Sequence, residues 1–401
     1  MKRARYALCA AVVAAYAGQA AAQTQIRLEG KQPFEIIRSF QALQDQIVLG
    51  NAAVKENLPK AMEQISARLL ASDREVWREA KNAQAAVIFS LSGGKSKLLR
   101  RGLEIALSPE SDLELMRGAL AFMEGRDAEA KKILLPIDAR ALASTVRGHI
   151  AIVQSTLVAK DDPKAAIGFL DQARILAPGT LVEETALRRE LILADELADF
   201  DKFASLSRQY LWRFPRSVYF DNFRQRFASS IIRFCLTGET ASFWKIENLL
   251  SELDSLEQLR LYLQIAHTSV LNGKVGSTVF ASGKAVQLSK AGSIENARAK
   301  LYQSAALILT NQIEAGQSEL ERIDPALLPK PDLQLKEAIV SLGSLIRNDP
   351  EVVAAASASE SNDRSSLARD EAGEGGSLSA LMDLAHRKLG ETDELLKGKR
   401  N

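Results

Sequence analysis

The stretch PKAAIGFLDQARILAP, residues 163–178, decides the fold. Its small and apolar residues Ala166, Leu170 and Ala173 recur at intervals of three and four, so they share one face of a helix. Small side chains on that face let a neighbouring helix approach closely, and the closing Pro178 ends the helix. This combination is typical of the second helix of a tetratricopeptide unit, which is a hairpin of two helices.

Two windows of similar spacing flank this stretch. The window 118–130 fits the first helix, the turn and the small residue of such a unit, and the window 203–215 repeats the second half with larger residues. The equivalent positions are Ala130, Ala166 and Phe203, which are 36 and 37 residues apart. Since the usual unit has 34 residues, these windows are lengthened copies of it.

Weaker copies are predicted further along the chain, centred on Val279 and Ala315. The sequence lacks the sustained two-residue alternation of strands, whereas apolar residues at helical spacing occur throughout it. The sequence therefore predicts an all-α fold, built as an array of tetratricopeptide-like helical hairpins. An irregular helical domain without true repeats is the alternative.

The first 22 residues have the three parts of a cleavable secretory signal. Three positive residues come first, Tyr6–Ala17 is apolar and uncharged, and Ala20–Ala22 supplies small residues for cleavage between Ala22 and Gln23. A membrane-spanning helix needs about 20 apolar residues, and this run is shorter. We therefore expect a protein that is exported to the periplasm and is not inserted in the membrane after cleavage.

Charge and cysteine content narrow the possible partners and chemistry. The whole chain carries a formal charge of +2, and loss of the three positive residues of the signal leaves −1. Such a near-neutral protein has no general attraction for nucleic acid or anionic lipid, so neither is expected as a partner. Cleavage also removes Cys9, which leaves Cys235 without a disulfide partner, and Cys235 is expected to be a buried core thiol.

Composition divides the chain into five segments. Residues 354–377 contain one large apolar side chain, Leu367, which is too little to bury a core, so a disordered linker is expected there. The leucines that follow can share one face of a short C-terminal helix. The predicted segments are the signal at 1–22, an N-terminal helical segment at 23–110, the repeat region at 111–350, the linker at 351–377 and the tail at 378–401.

Sequence patterns for catalysis and metal binding are weak. The three histidines lie far apart and lack a second histidine or cysteine at metal-ligand spacing. Ser92 and Lys95 match Ser-x-x-Lys, but the other motifs of the penicillin-recognising enzymes are missing. The acidic pairs Asp161–Asp162 and Glu183–Glu184 are expected at helix starts, where acidic residues favour the helix dipole. We therefore predict no catalytic residue, no cofactor and no metal.

One segment, Tyr210–Phe227, combines aromatic and arginine side chains. These residue types are enriched at the centres of protein interfaces. The simpler interpretation is that Phe220, Phe223 and Phe227 form the core stripe of a helix. The residues beside the predicted turn are the candidate partner-binding residues: Trp212, Arg213, Arg216 and Tyr219.

The helix QPFEIIRSFQALQDQIVLG at residues 32–50 and the segment RFPRSVYF at residues 213–220 carry a family resemblance. Together with the signal, the length and the helical repeats, they make the chain similar to the MotC family of periplasmic motility proteins of flagellated alpha-proteobacteria. The resemblance implies association with the periplasmic part of the stator protein MotB. It implies a role in flagellar rotation rather than assembly, without a catalytic residue.

Three functions follow from these observations. The leading hypothesis is a non-enzymatic periplasmic motility protein that binds the periplasmic domain of MotB and is required for flagellar rotation. The alternative is a periplasmic tetratricopeptide-like adaptor of cell-envelope or secretion machinery, where such repeats are common. The third is a helical muralytic enzyme that acts through one glutamate, although no surrounding motif singles out such a residue.

Overall fold

The computed structural model describes residues 30–310 and 312–348. In these ranges the chain forms seventeen α-helices and no β-strand, which confirms the all-α fold. The predicted signal with its Ala22–Gln23 cleavage site, the linker at 351–377 and the tail at 378–401 lie outside the described residues. By its internal contacts the chain divides into two compact units, of which the first ends at Arg224 and the second begins at Gln225.

The first unit begins with four helices and continues with three helical hairpins. Several helices start at a polar side chain: Asn51, Asp162 and Asp199 each accept a hydrogen bond from a backbone N–H of the first turn. This confirms the capping role expected of Asp162, whereas the Asp161 carboxylate pairs with Lys131 instead. The helices are α1 (Pro33–Val48), α2 (Ala52–Leu70), α3 (Ala80–Leu91), α4 (Lys97–Ile105), α5 (Glu110–Met123), α6 (Asp127–Leu134), α7 (Arg147–Val158), α8 (Pro163–Leu176), α9 (Leu181–Glu196) and α10 (Phe200–Arg213).

The second unit begins within α11, which spans Phe220–Thr237. None of the described helices of either unit combines the length and the apolar character needed to cross a bilayer. The helices that follow α11 are α12 (Phe243–Leu250), α13 (Ser255–Leu271), α14 (Val275–Leu288), α15 (Ile294–Leu309), α16 (Ile313–Glu321) and α17 (Lys330–Asn348).

Helical hairpins recur in both units. In the first unit α5 packs with α6, α7 with α8 and α9 with α10, and in the second unit α13 packs with α14 and α15 with α16. The fourth residue of the second helix is buried in each hairpin of the first unit: Ala130, Ala166 and Phe203 are at most 1% exposed. The structure thus confirms the equivalence of these positions.

The two weaker copies have a different register from the one predicted. Val279 is 52% exposed, and Ala315 is also exposed. The equivalent fourth residues of α14 and α16 are Thr278 and Gly316, and both are buried. A Cβ added to Gly316 would lie 2.9 Å from the carbonyl oxygen of Ser304 in α15, so the two helices approach very closely there. The prediction was wrong by one residue in both helices.

The N-terminal helices share a core with the first two hairpins. Phe40 of α1 and Phe89 of α3 meet edge to face, with ring centroids 5.7 Å apart. The same buried cluster extends to Ala130 in α6 and Ile150 in α7. Full burial of a large apolar side chain stabilises a fold by about 1.5–3 kcal/mol. The described helices before residue 110 are therefore packed as part of the first unit.

Left-handed residues join the two helices of several hairpins. The turn residue has a φ of +71° at Gly125, +63° at Gly273 and +53° at Ala198. Glycine adopts this conformation freely, whereas alanine is strained there by its Cβ. The α9–α10 turn therefore contains a residue that is poorly suited to its backbone geometry.

Replacement of Ala198 by glycine is expected to stabilise the first unit by about 0.5–1 kcal/mol, because it removes this strain. The reverse change, Gly125→Ala, should destabilise the unit by a similar amount. No neighbouring atom lies within 4 Å of the Cβ that it would add, so the loss would be conformational. Chemical denaturation of both variants tests this, and stability changes of the same sign would contradict it.

Candidate functional site

The two stretches that carry the family resemblance meet in the structure. The backbone N–H of Val218 donates to the carbonyl oxygen of Ile47, 3.2 Å away. Beside this bond Gly50 has a φ of +98°, and a Cβ there would lie 2.6 Å from the carbonyl oxygen of Arg216. Both the conformation and the close approach require glycine. The end of α1 is thus held against residues 214–219, which we call the α10–α11 turn.

A second contact holds α1 against the start of α9. The backbone N–H of Leu181, the first residue of α9, donates to Asp45 Oδ1 at 3.2 Å. This N–H has no partner within its own helix, so the carboxylate satisfies a group that would otherwise remain unpaired. Burial raises the pKa of Asp45, and the hydrogen bond from Leu181 opposes that rise. The last turn of α1 is therefore fixed by both its backbone and a side chain.

Glu184 supports the α10–α11 turn from inside the unit. It is fully buried, and its Oε1 accepts hydrogen bonds from the hydroxyls of Tyr210 and Ser217, each at 2.6 Å. The Ser217 hydroxyl in turn accepts from the backbone N–H of Tyr219 at 3.1 Å. Burial, followed by the contact with Glu184, raises the pKa of Tyr210, so its phenol stays a donor. Glu184 lies in the first turn of α9, as expected, but its carboxylate binds the α10–α11 turn and does not cap the helix.

The neighbouring Glu183 does act at the helix start. The backbone N–H of Gly179 donates to its Oε2 at 2.5 Å. From the other side, the Arg213 guanidinium places Nε 2.7 Å from Oε1 and Nη2 2.7 Å from Oε2. Two parallel contacts of this kind form a bidentate pair, which fixes orientation as well as charge. Arg213, one of the four candidate residues, is thus engaged within the chain.

Tyr219, a second candidate, is also engaged within the chain. The Arg188 guanidinium lies 4.4 Å from the centre of its ring, and Lys55 Nζ lies 4.8 Å from it. Cations at these distances are attracted to the face of an aromatic ring. Because Lys55 belongs to α2 and Arg188 to α9, the ring links the α10–α11 turn to two helices.

Trp212, the residue before the 213–220 stretch, and Leu49, in the 32–50 stretch, extend into solvent. Trp212 is 80% exposed and Leu49 is 74% exposed. Arg216, within the turn, is exposed as well. Large apolar side chains on a well-fixed backbone are typical of protein-binding surfaces. Of the four candidates, Trp212 and Arg216 are therefore the ones most accessible to a partner.

The other aromatic residues of the segment belong to the interior. Tyr210 stacks on Phe223 with ring centroids 4.1 Å apart. Phe223 and Phe227 are each 4% exposed. The simpler interpretation, a core stripe of a helix, is confirmed for Phe223 and Phe227, whereas Phe220 is half-buried. The partner-binding hypothesis therefore rests on the residues before and within the turn.

A buried charge cluster joins α8, α9 and α10. Glu190 is fully buried, and its carboxylate lies 2.7 Å from Arg174 Nη1 and 2.6 Å from Lys202 Nζ. Asp171 contacts the same two cations, at 2.7 and 3.0 Å. Burial raises the pKa of Glu190, so its ionised form depends on the two cations. No sequence pattern indicated this cluster, because its residues lie on three helices without a shared motif.

Reactive side chains are dispersed or buried in the structure. Cys235 is buried, and burial raises the pKa of its thiol to about 12, which confirms the expected core thiol. Among residues 30–310 and 312–348, no three histidine, cysteine, aspartate or glutamate side chains lie close enough together to hold a metal ion.

His149 is a further buried titratable group, in α7. Burial lowers its pKa from 6.5 to about 4, so the folded protein keeps the imidazole neutral where the unfolded chain protonates it. Stability is therefore expected to fall as pH falls from 6.5 towards 4, since the unfolded state binds the extra proton. Urea unfolding at pH 7.5 and 4.5 tests this against His149→Gln. The advantage of the natural protein over the variant should shrink at pH 4.5, and a constant difference would contradict it.

Comparison with known proteins covers the whole chain. A family model described as Chemotaxis protein MotC matches residues 1–401. The chain belongs to the MotC family. One MotC relative, the Chemotaxis protein MotC of Rhizobium meliloti (strain 1021), is 25% identical over 350 residues, which are 86% of this chain and 80% of the relative. The MotC family is named for motility and chemotaxis, so this is a motility-related protein. No solved structure matches the chain.

Proposed function

We propose that this MotC-family chain is a non-enzymatic periplasmic protein that binds the periplasmic domain of the stator protein MotB and is required for flagellar rotation. Family membership supports a role in motility. The leader-like first 22 residues support a periplasmic location. The name of the family refers to motility rather than to a reaction, which supports a binding role.

The observation that carries the binding half of the proposal is Trp212. Its side chain is 80% exposed, although it is the last residue but one of α10 and precedes a turn that Glu184 and Ile47 hold in place. A rigid backbone lets an exposed tryptophan bury its large apolar surface against a partner with little loss of conformational entropy. Leu49 and Arg216, on the adjoining segments, supply further apolar and cationic contacts.

A clean deletion of the gene tests the motility half. We expect cells that assemble flagella but do not swim, with swimming restored by the full gene. A gene truncated to remove the codons for residues 2–22 should fail to restore swimming, since its product would stay in the cytoplasm. Normal swimming of the deletion strain, or rescue by the truncated gene, would contradict the proposal.

Retention of the MotB periplasmic domain by the purified protein tests the binding half. The domain should bind the immobilised chain saturably, whereas an unrelated periplasmic domain should not. Failure of the MotB domain to bind would exclude direct association. Septal rather than motor localisation would favour the envelope adaptor, and cell-wall lysis that is lost on a single glutamate substitution would favour the muralytic enzyme.

A further inference from the structure

A partly open cavity of about 220 Å³ lies in the first unit, between α1, α3, α5, α7 and α9. Its wall does not include Leu49, Trp212 or Arg216. Half of its twelve lining residues are apolar and half are polar, and sites that bind small organic molecules combine both kinds. The apolar wall consists of Leu91, Phe122, Ile152, Val153, Leu181 and Val182.

Arg189 of α9 supplies a positive charge to this apolar wall. Its Nη1 donates to the hydroxyl of Thr156, another wall residue, at 2.6 Å. In the part of the chain that the structure describes, no carboxylate forms an ion pair with Arg189, in contrast to Arg174 and Arg213.

The other polar groups of the wall do not neutralise this charge. His149 is neutral at pH 7, because burial lowers its pKa to about 4. Gln44, Ser92 and Thr185 are uncharged hydrogen-bonding side chains. Arg189 is exposed, and no carboxylate among the described residues pairs with it, so an anion that enters the cavity can reach its guanidinium and form charge-assisted hydrogen bonds with it.

We propose that this cavity binds a carboxylate that carries one compact apolar group. The guanidinium can hold a carboxylate through two parallel hydrogen bonds, and the apolar wall can enclose the attached group. The volume suits a group about the size of one large side chain. Two sources share this chemistry: a free organic acid and the C-terminal residue of a polypeptide.

Calorimetric titration of the purified chain with 3-phenylpropionate and 3-phenylpropionamide tests the site. The acid should bind saturably, one molecule per chain, and at least about tenfold more tightly than the amide. Arg189→Gln should abolish this preference, and Arg189→Lys should keep part of it. Arg117→Gln removes an exposed arginine of α5 that pairs with Glu110, and it should leave the preference unchanged.

A pair of hexapeptides that end in phenylalanine, one with a free carboxylate and one amidated, separates the two sources. Binding of the free-carboxylate peptide with the same dependence on Arg189 identifies a chain terminus as the ligand class. Binding of 3-phenylpropionate without the peptide identifies a small organic acid. The proposal is overturned if no carboxylate binds, if acid and amide bind equally, or if Arg189→Gln retains the preference. None of these results depends on MotB.

Discussion

Replacement of Glu190 by alanine is expected to lower the free energy of unfolding of the first unit by about 3 kcal/mol. The carboxylate is fully buried and contacts Arg174 and Lys202 at 2.7 and 2.6 Å. Its removal leaves these two part-buried cations to share Asp171, which is 41% exposed and partly solvated. The truncation also leaves a void between α8, α9 and α10.

Chemical denaturation followed by tryptophan fluorescence measures this loss. Asp161→Ala is the matched control, because it breaks an ion pair with Lys131 at the surface. The Asp161 side chain is 66% exposed. Solvent screens such pairs, so the midpoint of unfolding should barely move. Glu190→Gln keeps the shape of the side chain and should give an intermediate loss. Equal midpoints for Glu190→Ala and Asp161→Ala would show that the buried cluster does not stabilise the unit.

Trp212→Ala is expected to weaken binding of the MotB periplasmic domain by at least about 30-fold and to stop swimming. Truncation of a tryptophan at the centre of an interface commonly costs 2 kcal/mol or more, which corresponds to about this factor. The side chain is 80% exposed in the chain alone, so its loss should leave circular dichroism and thermal stability unchanged.

Trp244→Ala provides the control for this variant. Trp244 lies in α12 of the second unit and is 62% exposed, so it has the same chemistry and similar accessibility. It is not one of the residues, Leu49, Trp212 and Arg216, that we propose to contact MotB. We expect it to bind MotB and support swimming like the natural protein. If both variants bind normally, or if both lose binding equally, Trp212 is not the specific contact that we propose.

The hairpins were predictable because their determinants are local. Ala166 and Ala173 recur within one helix, and a small residue on the packed face is visible in the sequence without knowledge of its partner. The predicted register was wrong at Thr278 and Gly316, because the sequence does not show the position of the partner helix. Whether a residue fits the packed position depends on how closely the first helix of the hairpin approaches it. That distance is set by the tertiary structure.

The candidate region was predictable in position but not in its contacts. Aromatic and arginine content correctly drew attention to residues 210–227, yet composition could not separate exposed Trp212 from buried Phe223. Composition also could not predict the ion pair between Arg213 and Glu183, because the two charged residues lie on different helices. Only the folded chain shows that the 32–50 and 213–220 stretches form one junction.

Asp45 and Leu181 are 136 residues apart in sequence, and the bond between Ile47 and Val218 spans still more. Contacts of such separation raise the contact order of a chain, which slows its folding. In an array whose repeats touch only their neighbours, each hairpin can fold as soon as it has been synthesised. Here the hydrogen bond from Val218 to Ile47, at the end of α1, cannot form until residue 218 has been synthesised. The first unit is therefore expected to complete its folding in one late cooperative step rather than hairpin by hairpin.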